Sequence, residues 1–309
     1  MHGLPNLGNT CYLNTTLQCL LNSRYFCEFL KITPDILLIK RLSDRLIEPS
    51  GQLVGEYILT VRRIQAKIQS IRINETNDIH EFICHVFDVF FEEFKQVIPV
   101  KKPKQRGVAE VVRYNSDANW NNAWSAVCDL AYTQVIVDTK CSNCGHVRHN
   151  YEIISVLPLD IVNCDDLVGC FKKYFESSCI DMWVCDKCKY VDKRSVTQTW
   201  LNRLPNLLVV SLNRFDYRGG RVEKNCKTIC IPKYIDLSCF MYFQNPAQSC
   251  KFRLSSCARH IGNVDNGHYN ATISLDDERI ILIDDTNISE IQYIDLDNSY
   301  VIFYERMKE

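Results

Sequence analysis

Cys141-Ser-Asn-Cys144 and Cys185-Asp-Lys-Cys188, separated by forty residues, constrain this chain more than any other feature. A Cys-x-x-Cys bend points two thiolates at one tetrahedral ion, and two such knuckles complete a four-sulfur zinc site with Zn–S distances of ~2.3 Å. Any fold must therefore bring residue 141 to residue 185. The gap exceeds the roughly 15–20 residues of a compact zinc ribbon, so each knuckle is expected at the tip of a long hairpin. Gly145 after the first pair suits the tight turn. Four thiolates leave no open coordination position, so the single zinc expected here is structural and not catalytic.

These four belong to a surplus of seventeen cysteines in 309 residues, which disulfides, metal, catalysis or core packing must explain. The first thirty positions hold no charged start followed by an apolar stretch, the pattern of a secretory signal. Apolar runs such as Leu207–Val210 and Ile280–Ile283 fall far short of the ~20 residues that cross a bilayer. A reducing compartment, cytoplasmic or nuclear, is expected, with free thiols. Lys plus Arg number 36 and Asp plus Glu 37, a net charge of −1, so neither a nucleic-acid partner nor a membrane is expected. With 46% hydrophobic and 24% charged residues, the chain reads as folded and globular.

The length suits about two domains or one lobed one. The first third reads as helical. Leu13, Leu17, Leu20 and Leu21 recur on one helix face after a turn-like Pro5–Thr10 stretch, with Asn9 or Thr10 as N-cap. A second helix opens at Asp78, with Glu81 as capping-box partner, and presents Ile79, Phe82, Ile83, Val86, Phe87, Phe90 and Phe94. It is expected to end before Pro99. Lys101–Gly107 reads as an exposed connection, and Trp120 and Trp124 as core. From about residue 127 strands are expected, at Tyr132–Val137, Ile153–Leu159, Leu207–Leu212, Tyr269–Leu275, Arg279–Ile283 and Tyr300–Tyr304. Helices first and strands later indicate an α+β fold.

Cys11 falls in the first turn of the first helix, where unpaired N–H groups and the helix dipole favour thiolate. Alone this is weak, because a buried inert cysteine is the commoner outcome. A cysteine nucleophile needs a base, and the base needs a group to fix its ring. Gly267-His268-Tyr269 at the start of a strand and Ile283-Asp284-Asp285 at the end of the next supply both. The order Cys, His, Asp is that of papain-like thiol proteases.

Gly3-Leu4-Pro5-Asn6-Leu7-Gly8-Asn9-Thr10-Cys11-Tyr12-Leu13-Asn14, continuing to Leu17-Gln18, resembles the Cys box of the ubiquitin-specific proteases, which are deubiquitinating cysteine peptidases. Asn77–Phe82 is similar to that family's Gln-Asp-Ala-x-Glu-Phe box, the paired Cys-x-x-Cys motifs to its fingers zinc site, and Leu212–Phe215 to its Leu-Lys-Arg-Phe segment. Phe252–Leu254, His260-x-Gly262, Gly267–Tyr269, Asp284-Asp285 and Tyr300–Tyr304 follow its His box. The matches run in order from residue 3 to about 306.

The resemblance implies a papain-like fold with a helical thumb (1–115), a β-rich palm (116–309) and zinc-bearing β fingers inserted at about 127–200. It implies Cys11 as nucleophile, His268 as general base and Asp284 as its orienter, with Asp285 a neighbour able to share or take over that role. Asn6 falls where the family places its oxyanion-hole amide. Asp78 corresponds to a contact for a basic residue of the ubiquitin tail, and Tyr269 to a wall of the channel that admits Gly-Gly. Cys141, Cys144, Cys185 and Cys188 would hold the zinc. The expected partners are ubiquitin and ubiquitinated proteins, engaged by a monomer.

The chain departs from the family at Asn77, Asn213, Ile280 and Ile283. These changes touch the tail channel and palm packing and leave open a protease for another ubiquitin-like modifier or a catalytically weak ubiquitin-binding module. A zinc-ribbon nucleic-acid protein is the third alternative, and the balanced charge opposes it. The Cys box begins at residue 3 and the last palm strand nearly ends the chain, so these residues are expected to hold no accessory domain, as either a minimal stand-alone enzyme or a part of a longer protein.

Overall fold

The computed structural model describes residues 2–47, 52–72, 74–99, 108–120, 123–192, 194–243, 248–264, 266–275, 279–293 and 298–308. The charged stretch 101–107 lies outside them.

The apolar spacing after Thr10 produces a helix over Cys11–Leu21 that is buried from Cys11 to Leu20. Helices Arg24–Ile32, Ile39–Ile47 and Leu53–Lys67 follow it, and Ile79–Phe94 lies alongside. Asp78 starts that last helix by accepting from the backbone N–H of His80 (2.8 Å) and Glu81 (3.2 Å). Glu81, expected to return a bond to the cap, instead lies 3.5 Å from His85 Nε2 one turn on, the usual i,i+4 pairing of an exposed helix face. Ile79, Phe82, Ile83, Val86, Phe87 and Phe90 are all buried. Phe26, Phe29, Phe90 and Phe94 meet ring to ring, which locks two helices together.

The other half is built on an eight-stranded sheet. Its path runs Asn287–Ile291, Ile280–Asp284, Gly267–Ser274, Lys251–Gly262, Ser299–Arg306, Leu207–Asn213 and Leu157–Asp160, with Tyr234–Asp236 pairing Lys251–Gly262 outside that order. Pairing is antiparallel except between Leu207–Asn213 and Leu157–Asp160. The continuous apolar runs are explained by burial on both faces. Leu207, Val209, Val301 and Phe303 pack toward the helices around Cys11–Leu21. Leu208, Val210, Leu212, Ile302 and Tyr304 pack the opposite way, under the helix Leu167–Tyr174. The fully buried Arg214 donates to the carbonyls of Ser299, Asn225 and Lys227, tying a central strand end to its neighbours.

A second sheet joins Val147–Ile154, Thr133–Lys140, Ser195–Arg203 and Ser178–Ile180, all antiparallel. Here one expectation is corrected. Ile153–Leu159 is not one strand: Ile153 and Ile154 close a strand of this second sheet, and Leu157 begins a strand of the first. The chain changes sheet at Ser155-Val156, and the largely apolar sequence hides the break because residues on both sides pack against a core. Trp120 is buried, and Trp124 packs against it edge-on at 5.5 Å, with the Arg203 guanidinium 4.2 Å over its ring. No helix among the described residues is long and apolar enough to cross a membrane.

Candidate active site and metal centre

The loop before the first helix is folded on its own side chains. Asn6 Oδ1 accepts from the N–H of Gly8 (3.1 Å) and of Thr10 (3.1 Å), and from the Thr10 hydroxyl. The Thr10 hydroxyl in turn accepts from the N–H of Leu7 at 2.9 Å. Gly8 (φ 91°) and Asn9 (φ 52°) make the tight reversal. Thr10 occupies the N-cap position as expected, yet its hydroxyl is spent on the loop and no side chain caps the helix. The N–H groups beside Cys11 thus keep their donor capacity.

His268 is the second residue of the strand Gly267–Ser274, held in register opposite Ile261. Its Nε2 lies 2.6 Å from Asp284 Oδ1, at the end of the adjacent strand. The ring also hydrogen-bonds Cys11. That bond first, and then Asp284, hold its pKa up at about 9 against the opposing effect of burial. The protonated imidazolium is thereby favoured, placed between the Cys11 sulfur and a carboxylate.

Asp285 does something else. It sits at φ 49° in the turn after Asp284, and its carboxylate accepts from Asn14 Nδ2 (2.7 Å) and Asn6 Nδ2 (3.0 Å). Its backbone carbonyl accepts from the N–H of Leu4 at 2.9 Å, so close that a Cβ on Gly3 would fall 2.2 Å from that oxygen. The N-terminal segment is thereby laid against the turn carrying both aspartates.

A cleft of about 220 Å³ is lined by Cys11, Asn77, Asp78, Phe215, His260 and Tyr269 among others. Asp78 is already engaged: its Oδ1 caps the helix, while Oδ2 accepts from Tyr300 (2.8 Å) and Tyr269 (3.4 Å). The carboxylate thus joins the helical half to the sheet at the cleft wall. The second histidine of the cleft is unlike the first. Burial chiefly, then Lys224, pushes the His260 pKa down to about 4, so its ring is neutral. That ring fills the space above Gly267, where a Cβ would lie 1.9 Å from Nε2. It packs 4.8 Å from Tyr269 and 5.3 Å from Phe215.

Three participants escaped the sequence reading. Tyr300 belongs to an expected strand and to the segment matching the His box, but no role of its side chain was assigned. Asn14 is 2% exposed on a helix buried along its length, and a buried amide must be hydrogen-bonded, which is the signal that could have found it. Tyr57 gives no such signal, because a buried tyrosine on an amphipathic helix reads as core.

The four motif cysteines converge beyond the end of the strand pair Thr133–Lys140 and Val147–Ile154. Their sulfurs all lie within 4.8 Å of one another, with Cys141–Cys188 and Cys144–Cys185 separated by 3.7 Å. A tetrahedron with metal–sulfur bonds of ~2.3 Å has an edge of about 3.8 Å, so the cluster fits zinc. The knuckles are built alike: Gly145 N–H donates to the Cys141 carbonyl (3.0 Å) and Lys189 N–H to the Cys185 carbonyl (2.9 Å). Gly145 (φ 68°) and Lys189 (φ 59°) both take the left-handed conformation. All seventeen cysteines are free thiols.

A helix-borne cysteine facing a sheet-borne histidine and aspartate is the arrangement of the papain-like cysteine hydrolases. The family model described as "Ubiquitin carboxyl-terminal hydrolase" matches residues 2–304, and the chain belongs to that family. It is 27% identical over 356 residues to human ubiquitin carboxyl-terminal hydrolase 21, covering 99% of this chain and 62% of the relative. It is 26% identical over 333 residues to Arabidopsis thaliana ubiquitin carboxyl-terminal hydrolase 25, again over 99% of this chain but 47% of that one. The chain therefore spans less than two thirds of these relatives. Among solved structures, a SAGA DUB module containing Ubp8 with Sgf11, Sus1 and Sgf73, bound to monoubiquitin, superposes with a TM-score of 0.81 at 19% identity. The match covers 100% of this chain and 69% of that one, and it shows a common fold.

Proposed function

We propose that this chain is a deubiquitinating thiol hydrolase that cleaves the amide or isopeptide bond after the C-terminal glycine of ubiquitin. The observation that carries the reading is His268 held between Cys11 and Asp284. The Cys11 thiolate adds to the glycine carbonyl carbon, forming C–S and placing the carbonyl electron pair on oxygen. Asn6 Nδ2 and the uncapped N–H groups at the helix start are the donors for that oxyanion, and one such donor is worth about 10²–10³ in rate. Collapse breaks the C–N bond, and His268 gives its proton to the departing amine. His268, now neutral, takes a proton from water, whose oxygen displaces Cys11 from the thioester. Asp284 fixes the ring throughout, while Asp78 and Tyr269 form the wall along which the tail lies.

Family membership, the fold shared with a ubiquitin-bound Ubp8 module and the Cys box support ubiquitin as the modifier. The four-cysteine cluster is proposed to hold one structural zinc at the tip of the second sheet. Bound there, it would cross-link two knuckles and take no part in bond cleavage. The test is release of aminomethylcoumarin from the ubiquitin C-terminal amide. Turnover by the native chain and none by Cys11→Ala is expected; silence of the native chain rejects the reading.

A further inference from the structure

The two neighbouring carboxylates of the site have separate partners. Asp284 meets His268, whereas Asp285 meets two side-chain amides. The Asn6 amide can be held in either of two orientations, and its surroundings decide between them. Its Oδ1 accepts from the N–H of Gly8 and of Thr10, and its Nδ2 donates to Asp285. Flipping it would set an oxygen against a carboxylate and an NH₂ against two N–H donors. In the orientation present, one N–H of Asn6 is bound to Asp285 and the second remains for a reacting carbonyl oxygen.

Asp285 needs support, since it lies on a turn and its side chain is short. Asn14 Nδ2 supplies it at 2.7 Å, and the same amide reaches the carbonyls of Pro5 (3.2 Å) and Leu4 (3.3 Å). The Asn14 amide is itself set by Tyr57, whose hydroxyl donates to Asn14 Oδ1. Tyr57 is fully buried on the helix Leu53–Lys67 and does not line the cleft. A continuous run of hydrogen bonds thus leads from a helix outside the catalytic motifs to Asn6.

We infer that Tyr57 and Asn14 are positioning residues that act through Asp285 to hold the Asn6 amide as an oxyanion donor, leaving the orientation of His268 to Asp284 alone. This rests on the thiol-hydrolase reading, and it makes a prediction that does not depend on ubiquitin. Two small reagents separate the two functions of the site. Iodoacetamide alkylates Cys11 by displacement of iodide at a saturated carbon, so no oxyanion forms. p-Nitrophenyl acetate acylates it by addition to the carbonyl, with the electron pair passing to oxygen before p-nitrophenolate leaves.

The experiment compares the two rate constants, each corrected with Cys11→Ala. Tyr57→Phe is expected to lower acylation about tenfold and Asp285→Asn about 10²-fold, with alkylation unchanged in both, as loss of oxyanion alignment requires. In the double variant the Tyr57 effect should vanish, because the relay is already cut. On the ubiquitin amide the same losses should appear in kcat with KM unchanged. Acylation at the native rate in Tyr57→Phe, or equal falls in both reactions, overturns the inference. If Tyr57→Phe does not melt cooperatively, Asp285→Asn on its turn decides, and an unchanged acylation-to-alkylation ratio there is equally fatal. A native chain that shows the expected ratios but ignores the ubiquitin amide rejects ubiquitin as substrate and supports the relay.

Discussion

The cleft and the cysteine-tipped sheet solve the problem of holding distant residues together in opposite ways. At the cleft, residues 6, 11, 14, 57, 78, 268, 284 and 285 are brought together by packing on both sides of the large sheet and by hydrogen bonds that satisfy nearly every polar group involved. At the tip of the second sheet, Met182 (76%), Val184 (49%) and Val191 (56%) stand in solvent. A short hairpin, Trp183–Val184 with Val191–Asp192, has little beneath it but four sulfurs. The first region is placed by its core and tuned by polar contacts. The second has almost no core, so coordination must do there what packing does elsewhere.

That contrast can be broken at either end. The largest expected effect is on chemistry: Cys11→Ala and His268→Ala should each remove turnover of a ubiquitin amide while the far-UV circular dichroism stays native, because the fold rests on the two cores either side of the large sheet. Next is the metal. A strong chelator, or Cys185→Ser, should release protection from hydrogen exchange around 141–146 and 183–191 while the strands Leu207–Asn213 and Ser299–Arg306 stay protected. Structural zinc contributes of order 10 kcal/mol in small isolated sites, and only a local share of that should be felt here. Loss of protection across the large sheet as well would show that the two regions are not independent.

Smaller and more specific is Gly267→Ala. The added methyl would overlap His260, and overpacking of this kind costs about 1–3 kcal/mol. Since residue 267 precedes the base, activity should fall further than stability does, measured as kcat/KM against the chemical-denaturation midpoint. The most specific concerns the protonation of the base and uses Asp284→Asn. Because Cys11 and Asp284 raise the His268 pKa to about 9, the imidazolium and the stability linked to it are fully present below the unfolded value of about 6.5 and are lost as pH rises through about 9. Removing the carboxylate should move the alkaline limb of the activity profile to lower pH, with Cys11 still alkylated at the acid end.

How much of this was legible depended on whether a residue's partner left a local trace. The knuckles, the Cys box and the His box are short segments whose residue types betray their chemistry, and the two-face burial of Leu207–Val210 shows in its unbroken apolar run. The break at Ser155-Val156 was invisible, because apolar residues on both sides pack against a core and only the pairing partner changes. Lys189 matches Gly145 in the second knuckle without a glycine to announce it. The engagement of Asp285 with Asn6 and Asn14, and of Asn14 with Tyr57, joins positions up to 279 residues apart, a relation that periodicity cannot carry.

One mass measurement tests the activation of Cys11 by His268 most directly. Ubiquitin bearing a C-terminal propargylamide, incubated with the native chain and digested, should give one adduct, on Cys11, although sixteen other thiols are present, and His268→Ala should give none. An adduct spread over several cysteines, or one that forms without His268, would contradict a thiolate activated by its neighbour at the start of the first helix.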